Sequence, residues 1–224
     1  MNWQNILNSL PGILIGLTVH EFSHAWAAYK LGDYTAKDQG RLTFNPLRHI
    51  DPIGFLFIIF AGFGWAKPVQ FSPDNLSHPR RDKALIAAAG PLSNLLLALI
   101  FIFTIKGYRA LLEYSYDSMN SDALFVFLQS ETFYRVIMII LQAAVINLGL
   151  FVFNLLPIPP LDGSHIFFSG LNLRPETERS IMKIGTPLLF IILIIQNYAG
   201  ITILPIGKLI FAILGFFIPQ LRGN

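Results

Sequence analysis

Two histidines and a glutamate stand within five residues of one another in an apolar stretch near the start of the chain. The stretch reads His20-Glu21-Phe22-Ser23-His24. On a helix, His20 and His24 lie four residues apart on one face, a spacing that lets both rings bind one metal ion. Glu21 is adjacent to the first histidine, where a carboxylate can take a proton from metal-bound water. The pattern therefore predicts metal-dependent hydrolysis.

The surroundings of the motif place this chemistry in a membrane. Residues 1–19 carry no charged side chain, and the next one after Glu21 is Lys30. The 224-residue chain is 54% hydrophobic and 13% charged, with a mean hydropathy of +0.57, whereas about a quarter of residues are charged in a soluble protein. The net charge of +3 comes from scattered basic residues, which argues against nucleic-acid binding. The absence of cysteine excludes disulfide bonds and cysteine metal ligands.

Uncharged runs mark the elements that must position the motif. A helix needs about 20 largely apolar residues to cross a bilayer, and four runs reach this length: 8–31, 84–105, 133–156 and 185–204. Two shorter pieces are predicted as a re-entrant or β-hairpin-like segment, 52–66, and a short C-terminal helix, 209–221, which is either a short additional span or an interfacial helix. The first run lacks a basic leader and contains the motif, so we interpret it as a retained span and not a signal peptide. We predict an all-α polytopic membrane protein of about 4–6 transmembrane helices in a single domain, 1–224.

Lys and Arg residues in the connections set the predicted orientation. Segments 33–52, 66–83 and 157–185 carry several basic residues and are assigned to the cytoplasmic side. Segment 106–131 has more acidic than basic residues and is assigned to the outside. The N-terminus is then external, and the histidine motif lies in the cytoplasmic half of the first span. A further ligand should come from another cytoplasmic span end.

Asp162 is the best candidate for this third ligand. Zinc in a hydrolase usually has three protein ligands and one open position, and without cysteine the third must be His, Asp or Glu. Asp162 lies just past the cytoplasmic end of the third long span, after the proline-rich run 157–160 has broken the helix. Gly163 then allows a backbone geometry that other residues resist. The alternative is that Asp162 only caps the next helix.

Three elements in order along the chain resemble the site-2 protease family of intramembrane zinc metallopeptidases. They are His20 to His24, the run Gly90-Pro91-Leu92-Ser93-Asn94, and the run from Asn154 to Gly163. They match the family's HExxH, GPxxN and NxxPxxxLDG patterns over roughly residues 16–170. Asn45-Pro46 and the run 64–69 look like the compact subgroup without an appended PDZ domain.

The resemblance implies a set of roles for these residues. It places one Zn²⁺ ion on His20, His24 and Asp162, with Glu21 as general base and later general acid. It also suggests polar contacts to the substrate or the oxyanion from Asn154 and Asn94. For both asparagines, an interhelical hydrogen bond is the alternative. Gly90 shares a helix face with Asn94, and we expect it to let two helix backbones approach closely.

Other residues receive weaker predictions. His165 is close enough to Asp162 to compete as a ligand, but a helix starting near Gly163 would turn it away from the metal. His49 and His78 lie in basic loops and are expected to be solvated. Segments 39–50 and 67–71 have strand-like character, so an edge there could pair with an unwound substrate.

These features together predict a zinc-dependent endopeptidase that cuts transmembrane or membrane-proximal segments of other proteins. Its partners would be a transmembrane protein substrate and the lipid bilayer, with no nucleic acid. Its location would be the bacterial cytoplasmic membrane, with the active site toward the cytoplasm. The alternatives are a metal-ion transporter and a catalytically inactive scaffold; a transporter needs ionisable groups along a path through the bilayer, and outside the motif the spans carry almost none.

Overall fold

The computed structural model describes residues 3–117, 122–171 and 173–218, and within these ranges the chain is helical without any strand. Two 3₁₀ turns, Pro46–Arg48 and Pro73–Asn75, lie in the connections. This part of the chain confirms the predicted all-α fold. Its α-helices are α1 (Trp3–Lys30), α2 (Thr35–Asp38), α3 (Pro52–Ala61), α4 (Pro79–Asp117), α5 (Asp122–Leu128), α6 (Glu131–Asn154), α7 (Asp162–Leu171), α8 (Pro175–Ala199) and α9 (Ile206–Phe217).

Helices α4, α6 and α8 are each long and apolar enough to cross a membrane. Large apolar side chains stand exposed in rows along them, as Leu92, Leu96 and Ile100 do on α4. Rows of this kind are typical of surfaces that face lipid, because soluble proteins rarely expose them. Helix α1 has 28 residues, so it is also long enough. The polar side chains of its motif interrupt the apolar run, and α1 is not among the three.

The helix ends differ from the predicted spans in an informative way. Helix α4 contains the predicted span 84–105 but continues to Asp117, because residues 106–116 offer good helix formers and no proline. Helix α8 begins at Pro175, ten residues before the predicted span 185–204, since proline suits the first helical turn. Charged residues therefore marked the ends of apolar runs but not the ends of helices. The last three residues of the predicted helix 209–221 lie outside the described ranges.

Helices α1, α4 and α6 pack together at the centre of the molecule. Gly12 and Gly16 of α1 face α6, and a Cβ atom on Gly12 would lie 2.7 Å from the Cα atom of Ala143. Small residues at this crossing let the two backbones approach closely, as is common between membrane helices. Helix α9 covers the other side of α4 and α6 through a buried cluster of aliphatic residues that includes Ile102, Leu148, Ile210 and Leu214.

The segment predicted to be re-entrant, 52–66, forms a hairpin built on a short helix. Helix α3 ends at Gly62, whose φ of 75° turns the chain back. The two arms then meet in an isolated antiparallel bridge between Ile50 and Ala66. The predicted strand-like character of 39–50 and 67–71 is wrong, because this bridge is the only strand pairing in the described chain and a 3₁₀ turn occupies 46–48.

His49, at the base of this hairpin, is fully buried, so its predicted solvation is wrong. Its Nε2–H donates to the carbonyl oxygen of Thr43 at 2.7 Å. Burial lowers the pKa of His49, and the nearby Arg41 adds to the effect. A neutral ring therefore fills the space between the two loop segments, where the charged loop sequence had suggested a surface position. His78 is exposed, as predicted.

Candidate metal centre

The three side chains predicted as metal ligands lie together in the structure. The Nε2 atoms of His20 and His24 are 3.0 Å apart on adjacent turns of α1. The Oδ2 atom of Asp162 lies 3.2 Å from the first and 3.4 Å from the second. Both histidines are buried and Asp162 is nearly so. One ligand atom from each residue thus faces a common point, which is the arrangement needed to hold a metal ion.

Hydrogen bonds on the far side of each ring fix the tautomers. The Nδ1–H of His24 donates to the carbonyl oxygen of Ile86 at 2.7 Å, and that of His20 donates to Oδ1 of Asn94 at 2.6 Å. A carbonyl oxygen can only accept, so the proton of each neutral ring is on Nδ1 and the Nε2 lone pair points to the common point. Oδ2 of Asp162 is buried and receives no hydrogen bond from the described residues. Three lone-pair atoms at this separation repel one another unless a cation lies between them.

Asn94 is oriented by a network that the sequence did not predict. Its Nδ2 donates to the carbonyl oxygen of Gly16 at 3.0 Å and to Oδ1 of Asn147 at 2.9 Å. Asn147 donates in turn to the carbonyl oxygen of Ala143 at 2.8 Å. Both asparagines are fully buried. The chain of bonds ties α1, α4 and α6 together and leaves Oδ1 of Asn94 as the acceptor for His20.

The available signal for Asn147 was its polarity alone. An amide within the apolar span 133–156 is costly unless it forms a hydrogen bond to another helix. The polarity of Asn147 therefore indicates an interhelical contact, as it does for Asn94.

Gly90 provides the space for both imidazole rings. A Cβ atom at this position would lie 2.6 Å from Cε1 of His24 and 2.7 Å from Cε1 of His20. The sequence suggested close packing of helix backbones at Gly90. The structure shows instead that the imidazole rings of His20 and His24 fill the space of the missing side chain.

Asp162 reaches the site because the chain turns sharply after α6. Helix α6 ends at Asn154, and α7 begins at Asp162 itself. A Cβ atom on Gly163 would collide with the carbonyl group of Leu155, so only glycine lets α7 start this close to the end of α6. The short turn brings the carboxylate back toward α1.

Glu21, the predicted general base, is buried next to His20 and is hydrogen-bonded to the outgoing arm of the hairpin. Its Oε2 accepts a hydrogen bond from the backbone N–H of Val69 at 3.1 Å. The same oxygen lies 3.9 Å from Nη2 of Arg41, a buried arginine. The sequence did not single out Arg41, because an arginine in a basic loop is expected to be one of the residues that set the orientation in the membrane.

The segment after Ala66 is also attached by hydrogen bonds to the residues that follow α1. Oδ2 of the fully buried Asp33 accepts the backbone N–H of Ser72 at 3.0 Å, and its Oδ1 accepts the side chains of Asn75 and Thr35, each at 2.7 Å. Burial alone would raise the pKa of Asp33, but these hydrogen bonds hold it below its usual value. An ionised Asp33 thus anchors the segment that carries Val69.

Two further candidates, Asn154 and His165, make contacts with other residues. The side-chain N–H of Asn154 donates to the carbonyl oxygen of Leu150 in its own helix at 2.9 Å. His165 is on α7 one turn beyond Asp162, and its Nδ1 is 4.0 Å from Oε1 of Glu178. Burial lowers the pKa of His165, and Lys83 adds to this. His165 is therefore not among the converging ligand atoms, and the hydrogen bond of Asn154 lies within its own helix.

Comparison with known proteins identifies relatives of this chain. "Putative zinc metalloprotease YwhC" of Bacillus subtilis (strain 168) is 44% identical over 154 residues, which cover 69% of this chain and 64% of that protein. "Putative zinc metalloprotease Rip2" is 29% identical over 177 residues in Mycolicibacterium smegmatis and 30% identical over 179 residues in Mycobacterium tuberculosis (strain ATCC 25618 / H37Rv). Each Rip2 match covers 77% of this chain and 60% of the relative. The matched region is therefore less than two thirds of the length of these relatives.

The family assignment rests on a wider match. The comparison with solved structures gave no significant match. The model of the peptidase family M50 matches residues 9–195, a range that contains most of α1, the whole of α4 and α6, and all three converging side chains. With three helices that are long and apolar enough to cross a membrane, the chain is an integral membrane protein that belongs to peptidase family M50, the site-2 protease family.

Proposed function

We propose that this chain is a zinc-dependent intramembrane endopeptidase folded as a single domain. In this proposal, His20, His24 and Asp162 hold one Zn²⁺ ion and Glu21 is the general base. One observation supports it above the others: three lone-pair atoms converge on a point while hydrogen bonds hold the far side of both rings.

The donor set suits zinc better than it suits Mg²⁺ or Ca²⁺. Two imidazole nitrogens and one carboxylate oxygen are typical zinc ligands, whereas Mg²⁺ and Ca²⁺ prefer oxygen donors throughout. Bonds of about 2.0–2.1 Å at tetrahedral angles separate ligand atoms by about 3.3 Å. The separations of 3.0, 3.2 and 3.4 Å among the three atoms agree with that value. The hydrogen bonds to Asn94 and Ile86 are the kind of outer contact that orients metal-binding histidines.

The chemistry that zinc supplies in a site with one open position is Lewis-acid activation of water and polarisation of a carbonyl group. Glu21 takes a proton from the attacking water as the water oxygen bonds to the peptide carbon. It then delivers that proton to the amide nitrogen as the C–N bond breaks. Its position beside His20 and its burial among α1 and the hairpin support this role.

The proposed substrates are transmembrane or membrane-proximal segments of other proteins, cut on the cytoplasmic side of a bacterial cytoplasmic membrane. The apolar helices around the site and the distribution of Lys and Arg support this location. The zinc metalloprotease names of the relatives support the reaction class.

The two asparagines have different prospects as substrate contacts. Both N–H groups of Asn94 are used by Gly16 and Asn147, so we assign Asn94 to orienting His20. Asn154 donates one side-chain N–H to the carbonyl oxygen of Leu150. We assign its second N–H and its Oδ1 to a contact with the substrate or the oxyanion.

The direct test is Glu21→Gln, which keeps the size of the side chain but removes its basicity. Zinc content should stay at one ion per chain, while cleavage of membrane proteins should stop. Quantitative proteomics of membrane fragments in cells with either form would find the substrates. Glu113→Gln, at an exposed position on α4, is the matched control. A Glu21→Gln enzyme that still cuts would overturn the mechanism.

The alternatives predict other results. Zinc uptake into proteoliposomes would indicate a transporter, and a zinc-loaded wild-type protein that cleaves nothing would indicate an inactive scaffold.

A further inference from the structure

Arg41 closes the base of the hairpin through both of its terminal nitrogens. Nη1 donates to the carbonyl oxygen of Arg48 on the incoming arm, and Nη2 donates to that of Lys67 on the outgoing arm. The two arms also meet through the N–H of Lys67, which donates to the carbonyl oxygen of His49 at 2.8 Å. Arg41 is 4% exposed, so this guanidinium is an internal part of the fold.

The outgoing arm leads directly to the proposed general base. Val69, two residues after Lys67, donates its backbone N–H to Oε2 of Glu21 at 3.1 Å. Nη2 of Arg41 is 3.9 Å from the same oxygen. Among the described residues, no hydrogen bond is made to Oε1 of Glu21. One oxygen of the carboxylate is therefore held by the hairpin, and the other is left for proton transfer.

The shape of the guanidinium explains why arginine occupies this position. Its planar fork presents several N–H donors in fixed directions, so it can bridge two carbonyl groups and still face a carboxylate. Lysine has the same charge but a single terminal nitrogen on a flexible stem, and it cannot hold both arms in this way. A residue that only neutralised Glu21 would not need the fork.

We propose that Arg41 is a positioning residue, which fixes Glu21 by holding the hairpin arm that carries Val69. The inference deepens the proposed function and rests on Glu21 acting as the base. It differs from a purely structural role, because the loss of Arg41 should affect the reaction step and leave metal binding and substrate affinity in place.

The test uses Arg41→Lys in the full-length protein, purified in detergent, with Arg48→Lys as the matched control because the Arg48 side chain is exposed. The substrate is one found by the Glu21→Gln comparison. Arg41→Lys should bind one zinc per chain and show a KM within about threefold of wild type. Its kcat should fall about 10–100-fold, since a displacement of about 1 Å can cost a factor of 100. Arg48→Lys should match wild type.

A second measurement is independent of activity. Hydrogen–deuterium exchange of the metal-free protein should be faster in Arg41→Lys for peptides that contain Val69, and unchanged in the control. This readout holds even if the wild-type protein cleaves nothing, so failure of the proposed function and failure of this inference can be told apart.

Val69→Pro removes the N–H donor and tests the same connection from its other end. If both residues act through one path, the double variant with Arg41→Lys should be no slower than the slower single variant. If the fold losses of kcat in the two single variants multiply in the double variant, the proposal is overturned. It would also be overturned by wild-type kcat and exchange in Arg41→Lys, or by loss of zinc together with kcat.

Discussion

Replacing Gly90 by alanine should weaken metal binding, because the added methyl group would occupy the space of both ligand rings. The new Cβ atom would be 2.6 Å from Cε1 of His24 and 2.7 Å from Cε1 of His20. Ordinary carbon contacts are about 3.5–4.0 Å, so each ring must move by about 1 Å. A move of this size breaks the hydrogen bonds that now hold the rings at 2.6 and 2.7 Å.

The expected size of the effect follows from those two bonds. Loss of the hydrogen bond that orients a metal-binding histidine typically weakens metal binding by about 10–100-fold. Two independent losses multiply to about 10²–10⁴-fold, or about 2.7–5.5 kcal/mol. The fold itself should survive, because alanine is a better helix former than glycine.

The assay is competition for zinc between the protein and a chromophoric chelator in detergent, with thermal unfolding of the metal-free protein as a check on folding. Gly107→Ala is the matched control: it lies on the same helix, and a Cβ atom there meets nothing within 4 Å. The control should bind zinc like wild type. Wild-type zinc affinity in a folded Gly90→Ala protein would refute the assignment of this space to the two rings.

Three further outcomes are expected. Asn94→Ala should weaken zinc binding about 10–100-fold in the same competition assay, because His20 loses its orienting acceptor; unchanged affinity would contradict the network. Gly12→Ala should lower the free energy of unfolding by about 1–3 kcal/mol in denaturant titrations, because its Cβ atom would press on the α6 backbone. Gly207→Ala, at an open position, should show no such loss. His165→Ala should keep one zinc per chain by elemental analysis, and loss of the metal would make His165 a ligand.

The converging side chains could be predicted because their chemistry is rare in an apolar sequence. His20, Glu21 and His24 are costly inside a span, so their presence signals a function. Asp162 followed from the breaking of a helix at the matching depth. The roles of these residues in catalysis stay predictions until the variants are measured.

The surroundings of the site could not be predicted with the same ease. The partners of His20 and His24 are an amide from α4 and a backbone carbonyl, and no sequence pattern marks a carbonyl group as an acceptor. His49 and Arg41 looked like loop residues, because their burial depends on how the hairpin folds back on α1. Gly90 looked like a packing residue, since the sequence does not show which neighbour fills the space of a missing side chain.

The bonds between α1 and the later helices have a consequence for biosynthesis. Asn94, the partner of His20, is 74 residues further along the chain. At about 5–20 residues per second, the ribosome needs roughly 4–15 s to reach it. Through that interval the ionisable side chains of the first helix lack the partner that α4 provides, and uncovered ionisable groups are costly within a bilayer. We therefore expect the newly made helix to stay beside the insertion machinery, or at the membrane surface, until α4 covers its polar face.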